Sequence, residues 1–361
     1  MVQYAKNTGF QHGTAASPGI LIANLGTPEA PTSSAVRKYL AQFLSDPRLI
    51  ELPRWQWLPI LHGVILRIRP SRSAHAYQKV WTDEGSPLLL HSQSLAAKVD
   101  SQLKKLGHGT ARVELGMTYG QPSIGAALDR LFSQPLSQLI VLPLYPQYSA
   151  TTTASVMDQL GTYLSRARDI PDLNFISSYH DDAAYIRALA DSVTEFWRSR
   201  GRRKKLLFSF HGIPRRYLDA GDPYHCQCHK TARLVASKLG LDEADWHLSF
   251  QSRVGREEWL RPYTDELLAE WGKAGQGDID VICPGFAVDC LETLEEIAMQ
   301  NRDDYKSAGG GELSYIPCLN DSEAQVKALS SLINERIRTK NQDKQSLETS
   351  RKRALALGAN Q

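Results

Sequence analysis

The residues best suited to chemistry lie in two short stretches. In "CPGFAVDCLETLEEIA", Cys283–Ala298, a strand ending at Pro284-Gly285 leads into a helix carrying Asp289, Glu292 and Glu296 at i, i+3 and i+7, on one face. Carboxylates at that spacing repel and raise one another's proton affinity unless a cation intervenes. An early acid such as Asp289 also suits a helix N-terminus through the dipole, a structural reading that fits Glu292 and Glu296 less well. The functional reading is a cation path or a proton-accepting patch. In "LLFSFHGIP", Leu206–Pro214, an apolar strand runs into His211, and Gly212 and Pro214 stop it at once. Imidazole titrates near neutrality, so it can accept a proton, hold a transition metal, or serve as a hydrogen-bonded structural group. A histidine facing a row of carboxylates suits delivery of a metal to an acceptor with N–H protons to lose.

Other constellations are weaker. His225 and His229 in "HCQCH" share a helix face at i, i+4, but a full zinc site needs four ligands and Cys-X-Cys is not a finger spacing. That segment reads as the start of a surface helix. "LYPQYSATTTAS", Leu144–Ser155, offers Tyr145, Tyr148 and a hydroxyl run that line a cleft or cap a helix at Ser149 or Thr151. Tyr119, Gln121 and Pro122 fall nearby at the end of a second strand. There is no G-x-G-x-x-G, no Walker loop and no G-x-S-x-G, so nucleotide and serine-hydrolase chemistry lack support.

These residues must be held by a particular scaffold. Apolar β-rich runs at Ile20–Leu25, Val113–Thr118, Leu139–Leu144 and Leu173–Ser178 are followed by a second set at Leu206–Phe210, Trp246–Phe250, Ile279–Cys283 and Leu313–Ile316. Amphipathic stretches such as Ser94–Leu106, Ser123–Phe132 and Ala183–Trp197 lie between them. Strand and helix in alternation predict parallel sheets covered on both faces. The two sets resemble each other in order: "LIANLGTP" and "LFSFHGIP", "MTYG" and "SRVG", "VLPLYP" and "VICPGF", "FISSYHDD" and "YIPCLNDS". The prediction is an α/β protein of two similar lobes with about four strands each, and ligands bind beyond the carboxyl ends of such strands. The duplication puts Leu25 where the second copy has His211, so the frame itself does not demand a histidine. The first lobe carries an insertion, "LPRWQWLPILHGVILRIRP", Leu52–Pro70, readable as a core helix hairpin or as an apolar lip for a greasy ligand or a membrane surface.

Composition sets outer bounds. The 361 residues suit about two domains, and 42% hydrophobic with 22% charged is ordinary for a soluble globular chain. No run of apolar residues is long enough to span a bilayer, and the first residues lack the apolar core of a secretory signal. Five cysteines, three of them in or after apolar runs, suggest reduced thiols in the cytoplasm. Of the net charge of +3, the tail from Asn334 holds seven Lys/Arg against three Asp/Glu, which leaves no basic face for nucleic acid. The run "RSRGRRKK", Arg198–Lys205, reads as a solvated helix end, with an anionic membrane or ligand contact as the alternative.

Taken together, "LLFSFHGIPRRYLDAGDPY", "SFQSRVGREEWLRPYTDELL", "DVICPGFAVDCLETLEEI", "LPLYPQYSATTTAS" and "LIANLGTPEAP" resemble the motifs of the ferrochelatase family, in family order, over about Gly19–Leu332. The resemblance implies two Rossmann-like lobes, each with a four-stranded parallel sheet flanked by helices and a cleft between them. It implies insertion of Fe²⁺ into protoporphyrin IX as the last step of haem synthesis. The metal-site histidine and glutamate fall on His211 and Glu292, with Asp289 and Glu296 as a carboxylate relay along a locally widened helix. Porphyrin contacts fall on Leu25, Tyr77, Ser86, Tyr119 and Tyr148, and the insertion on the hydrophobic lip. The implied organisation is a first lobe over 19–180, a second over 181–321, a helix at 322–337 returning to the first, and flexible termini at 1–18 and 338–361. Fe²⁺ is then a substrate, no permanent cofactor is expected, and no [2Fe–2S] cluster, since no cysteine follows Cys318. The implied setting is a cytoplasmic monomer or weak homodimer, with peripheral contact to the inner membrane through the lip. Two positions depart from some members: Cys290 stands where some, the mitochondrial ones included, have histidine, and Thr118 where some have arginine. The rival readings are a chelatase for coproporphyrin III or another tetrapyrrole and metal, and a non-catalytic tetrapyrrole-binding protein.

Overall fold

The computed structural model describes residues 12–203, 205–338 and 344–359. Its first half runs β1 (Ser17–Asn24), α1 (Ser33–Phe43), α2 (Arg54–Ile60), a π-helical turn (Leu61–Ile65), α3 (Leu66–Val80), α4 (Pro87–Lys105), β2 (Arg112–Met117), α5 (Ile124–Leu131), β3 (Leu136–Pro143), α6 (Thr153–Leu164) and β4 (Asp172–Phe175). Helix α7 (Ala183–Arg200) leads to the second half: β5 (Lys205–His211), α8 (Arg215–Asp219), α9 (Tyr224–Leu239), β6 (Trp246–Gln251), α10 (Thr264–Lys273), β7 (Ile279–Ile282), a π-helix (Glu292–Asn301), α11 (Arg302–Ser307), β8 (Leu313–Ile316), α12 (Glu323–Asn334) and α13 (Lys344–Ala356).

The strands form two four-stranded parallel sheets with the same plan, β2-β1-β3-β4 and β6-β5-β7-β8. Parallel strands covered on both faces lose all contact with water, which is why Ile20–Ala23 and Leu206–Phe210 carry almost no polar side chains. Strand order reverses between β1 and β3 and again between β5 and β7, and ligands collect outside the carboxyl ends at such points. Leu25 follows the end of β1 and His211 ends β5, so both stand at these switch points. Gly26, directly after Leu25, has φ +105°, and a Cβ there would lie 1.7 Å from the carbonyl oxygen of Tyr119. Only glycine lets the chain leave β1 this close to the end of β2.

Helix α12 packs on α4 and α7, returning the chain to the first lobe. The joint is held by Asp321, which ion-pairs with Lys98 and accepts from Ser94 Oγ at 2.6 Å, with His91 Nδ1 at 3.2 Å. The Lys98 ammonium and then the Ser94 hydroxyl hold the Asp321 carboxyl well below the usual carboxylate range. A depressed native pKa stabilises the fold above the ordinary carboxylate range, and that contribution fades as pH falls through the native value. Asp321→Asn should therefore lower Tm at neutral pH by about 2 °C, with the gap to the parent closing in acid, as followed by thermal melts across pH.

The tail departs from expectation. Instead of an irregular end, Lys344–Ala356 is helix α13, favoured by helix-forming Gln, Leu, Glu, Arg and Ala and by an i,i+4 ion pair of Glu348 with Lys352 at 2.9 Å. The expected flexibility of residues 1–11, 339–343 and 360–361 lies outside the described residues.

Candidate active site

One cavity of about 920 Å³ opens between the lobes. That volume is at the upper end of the range for small-molecule and cofactor sites. From the first lobe it is lined by Leu25, Leu52, Trp57, Arg69, Tyr145 and Gln147, among others. From the second come His211, Trp259, Phe286, Glu292, Glu295 and Glu296.

His211 is half-buried at the end of β5, flanked by the rings of Trp259 and Phe286 with centroids 6.3 and 6.4 Å away. Its Nδ1 lies 2.6 Å from the Gly212 carbonyl oxygen. A carbonyl only accepts, so Nδ1 carries a hydrogen, and in the neutral ring the lone pair is on Nε2. The neighbouring indole N–H of Trp259 is buried and has no hydrogen-bond partner among the described residues, which marks a donor waiting for an acceptor.

The acidic segment differs from the α-helical face read from the sequence. Only Leu291 precedes a ten-residue π-helix, Glu292–Asn301, whose i→i+5 bonding widens the barrel and brings residues four apart closer to one line. Glu292 and Glu296 thus share the cavity wall, and Gln300 lines it a further turn on. Asp289 sits outside the helix, because the chain from Pro284 to Cys290 is still loop. Its carboxylate is buried and saturated: Tyr315 Oη donates at 2.5 Å, Thr293 Oγ1 at 3.0 Å and Asn320 Nδ2 at 2.7 Å. It anchors the entry to the π-helix and does not line the cavity.

Glu296 accepts from Ser252 N at 2.7 Å, from Ser252 Oγ at 2.5 Å and from Gln251 Nε2 at 3.3 Å. Gln251 Nε2 also donates to the Glu292 carbonyl at 2.9 Å, so the end of β6 braces the widened helix. Ser252 achieves this with φ +66°, a left-handed conformation that costs a non-glycine residue and recurs at functional sites. Burial raises the Glu296 carboxyl above its ordinary value, and Glu292 adds to the rise; the Ser252 bonds and His211 pull the other way. Cys290 is buried, and burial with the nearby Glu292 charge pushes its thiol up, so it stays protonated.

The expected porphyrin contacts divide. Leu25 lines the main cavity. Tyr77 and Ser86 line a small crevice beside it, together with Leu25, Cys290 and Glu292. Tyr119 lines neither space: it is buried in the first lobe, where its hydroxyl donates to Asp46 at 2.5 Å. Tyr148 also lies outside the lining, its N–H bound to Gln227 Oε1 at 2.7 Å. Thr118 is buried and bonds Asn24, as a structural residue would. In the hydroxyl run, Ser149, Thr151 and Thr152 line the cavity, and α6 starts after Thr152 without a side-chain cap. Trp259, Ser252, Arg69 and Phe286 were not singled out from the sequence; no local spacing signals them, because each reaches the cavity through tertiary packing.

His225 and His229 lie with ring centroids 4.4 Å apart on the first turns of α9, and burial lowers the proton affinity of both. Among the described residues no three His, Cys, Asp or Glu gather into a metal-holding group. The insertion forms α2, the π-helical turn and the start of α3; Leu61 and Leu66 are buried in the first lobe's core, while Trp55 is 76% and Ile68 71% exposed. No helix among the described residues is long and apolar enough to cross a membrane.

Comparison with known proteins matches these features. Residues 17–337 match the Ferrochelatase family. The chain is 52% identical over 361 residues to the ferrochelatase of Nitrosococcus oceani, covering 98% of each chain. It is 48% identical over 369 residues to that of Thioalkalivibrio sulfidiphilus, covering 99% of this chain and all of the relative. Among solved structures, SirB from Bacillus subtilis with Fe³⁺ superposes with a TM-score of 0.53 at 10% identity, covering 88% of this chain and 95% of that one. That likeness concerns the two-lobed fold.

Proposed function

The chain belongs to the ferrochelatase family, and from that premise we propose that His211 and Glu292 are the groups across which it carries out the family's reaction. The enzyme is a lyase acting on a porphyrin and ferrous iron. Fe²⁺ enters protoporphyrin IX, two pyrrole protons leave, and protohaem is the product. The observation that carries the assignment is the open Nε2 of His211 on the same cavity as a carboxylate pair held in line by a π-helix.

Metal insertion needs a group that takes pyrrole protons, a path for a divalent cation, and a cavity that holds the macrocycle while it is bent out of plane. An imidazole with one free lone pair and a carboxylate can each accept a proton or bind Fe²⁺. Glu296 backs Glu292 as the next acceptor, and its raised proton affinity suits it to receive a proton and release it to water. Asp289 contributes by fixing the start of the widened helix. Apolar walls from Leu25, Leu52, Trp57, Trp259 and Phe286 supply the binding energy that any out-of-plane distortion must draw on. Arg69, on the first-lobe wall, suits a propionate carboxylate.

The exposed apolar lip favours protoporphyrin over more heavily carboxylated tetrapyrroles. With arginines beside Trp55 and Ile68, it also supports peripheral contact with an anionic bilayer from the cytoplasmic side. The test is anaerobic incubation with Fe²⁺ or Zn²⁺ and each porphyrin in turn, read in the visible spectrum. Metallation of protoporphyrin is the expected result. Binding without a spectral shift in any pair would overturn the catalytic reading.

A further inference from the structure

We propose that Arg216 is a clasp joining the two walls of the cleft mouth, and that a carboxylate of the incoming porphyrin replaces Glu51 in its fork, which makes Arg216 a positioning and specificity residue for anionic tetrapyrroles. The inference rests on the chelatase reading above. Arg216 lies in α8, just beyond the strand that ends in His211. Its guanidinium pairs with Glu51 of the first lobe and Glu257 of the second. It also donates to Tyr217 Oη at 3.1 Å and lies over the Tyr217 ring, 4.4 Å from the centroid. Tyr217 Oη donates in turn to the Leu49 carbonyl across the cleft at 3.2 Å. Glu51, Leu52, Arg216, Tyr217 and Glu257 all line the main cavity, so the clasp forms part of its rim.

Glu51 directly precedes the apolar lip, so its bond to Arg216 ties the lip to the opposite wall. One guanidinium faces two carboxylates, leaving these three residues with an excess of one negative charge. An anionic ligand is repelled there until one carboxylate leaves. The three side chains are 45–48% exposed, and pairs of that kind are weak and readily exchanged. A carboxylate carried on a large apolar ring seated in the cavity is less hydrated than Glu51 and competes well for the same fork. Stacking on Tyr217 keeps the guanidinium plane oriented, so only its partner changes.

The test uses the full chain, Zn²⁺, protoporphyrin IX and its dimethyl ester, with KM from the metallation rate and Kd from quenching of protein fluorescence. Arg216→Gln should raise KM and Kd for the free diacid about tenfold, with the loss falling on KM and not on kcat, and should leave the dimethyl ester nearly unaffected. Glu51→Gln should lower KM for the diacid about two- to threefold, and should have no effect once Arg216→Gln is present. Arg216→Lys should recover part of the loss. Equal effects of Arg216→Gln on diacid and ester, or a higher KM in Glu51→Gln, would overturn the clasp while the chelatase reading stands. Failure of the parent enzyme to metallate any porphyrin would instead strike that reading.

Discussion

Replacing His211 with alanine is expected to remove metal insertion while leaving porphyrin binding largely intact. Among the described residues the imidazole bonds only the adjacent Gly212 carbonyl, so the substitution does not unpick β5 from β6 or β7. The macrocycle is held by apolar walls from both lobes, and those walls stay in place. What disappears is the imidazole from the cavity lining. General acid–base groups typically supply about 10²–10⁴-fold, and a group that also meets the metal belongs at the upper end. Visible spectra would follow metallation, and fluorescence quenching would follow binding in the same samples. A variant that metallates at the parent rate would sink the assignment of His211.

Glu296→Gln is expected to cost activity and to preserve or raise stability, a pairing that a purely structural residue would not show. Burial holds a proton on Glu296 to higher pH than an ordinary carboxyl, so its ionised form is costly in the folded state. A raised native pKa stabilises the fold at low pH, and that contribution is lost as pH rises through the raised value. At neutral pH the amide removes a poorly solvated charge while its oxygen still accepts from Ser252, so Tm should match or exceed the parent. The advantage should shrink as pH falls and the parent's carboxyl takes up its proton. Activity should move the other way. The acid limb of the rate profile, where Glu296 must be ionised to accept a proton, should disappear, and kcat should fall by about 10²-fold. Glu292→Gln should lose at least as much kcat without the stability gain. Paired melts and rate profiles across pH test both halves; a loss of Tm at neutral pH with an unchanged acid limb would refute the role of Glu296.

Much of the scaffold was legible because buried parallel strands leave a plain trace. Ile20–Ala23 and Leu206–Phe210 are apolar on both faces, and Gly-x-Pro ends each run, so strand ends and the internal duplication could be read together. His211 stood out because its counterpart is Leu25. The acidic helix was legible in composition but not in shape. A 3.6-residue period joins Asp289 to Glu292 and Glu296, whereas the chain begins its helix at Leu291 and winds it as π, guided by Gln251 and Ser252 from a distant strand. Tyr119 and Tyr148 carried no local sign that one would be consumed by Asp46 and the other left out of the cavity lining. The Arg216 clasp, between residues 165 positions apart, is likewise invisible until the lobes are folded together.

The pairing of Leu25 with His211 has one more consequence. Two lobes of the same strand order bring equivalent strand ends to a single cavity, and identical residues there would make its two walls chemically alike. Leucine on one side and imidazole on the other give the cavity a polarity. A macrocycle seated between them would meet an inert wall on one side and His211, Glu292 and Glu296 on the other, so metal and proton chemistry would both work from a single face of the ring.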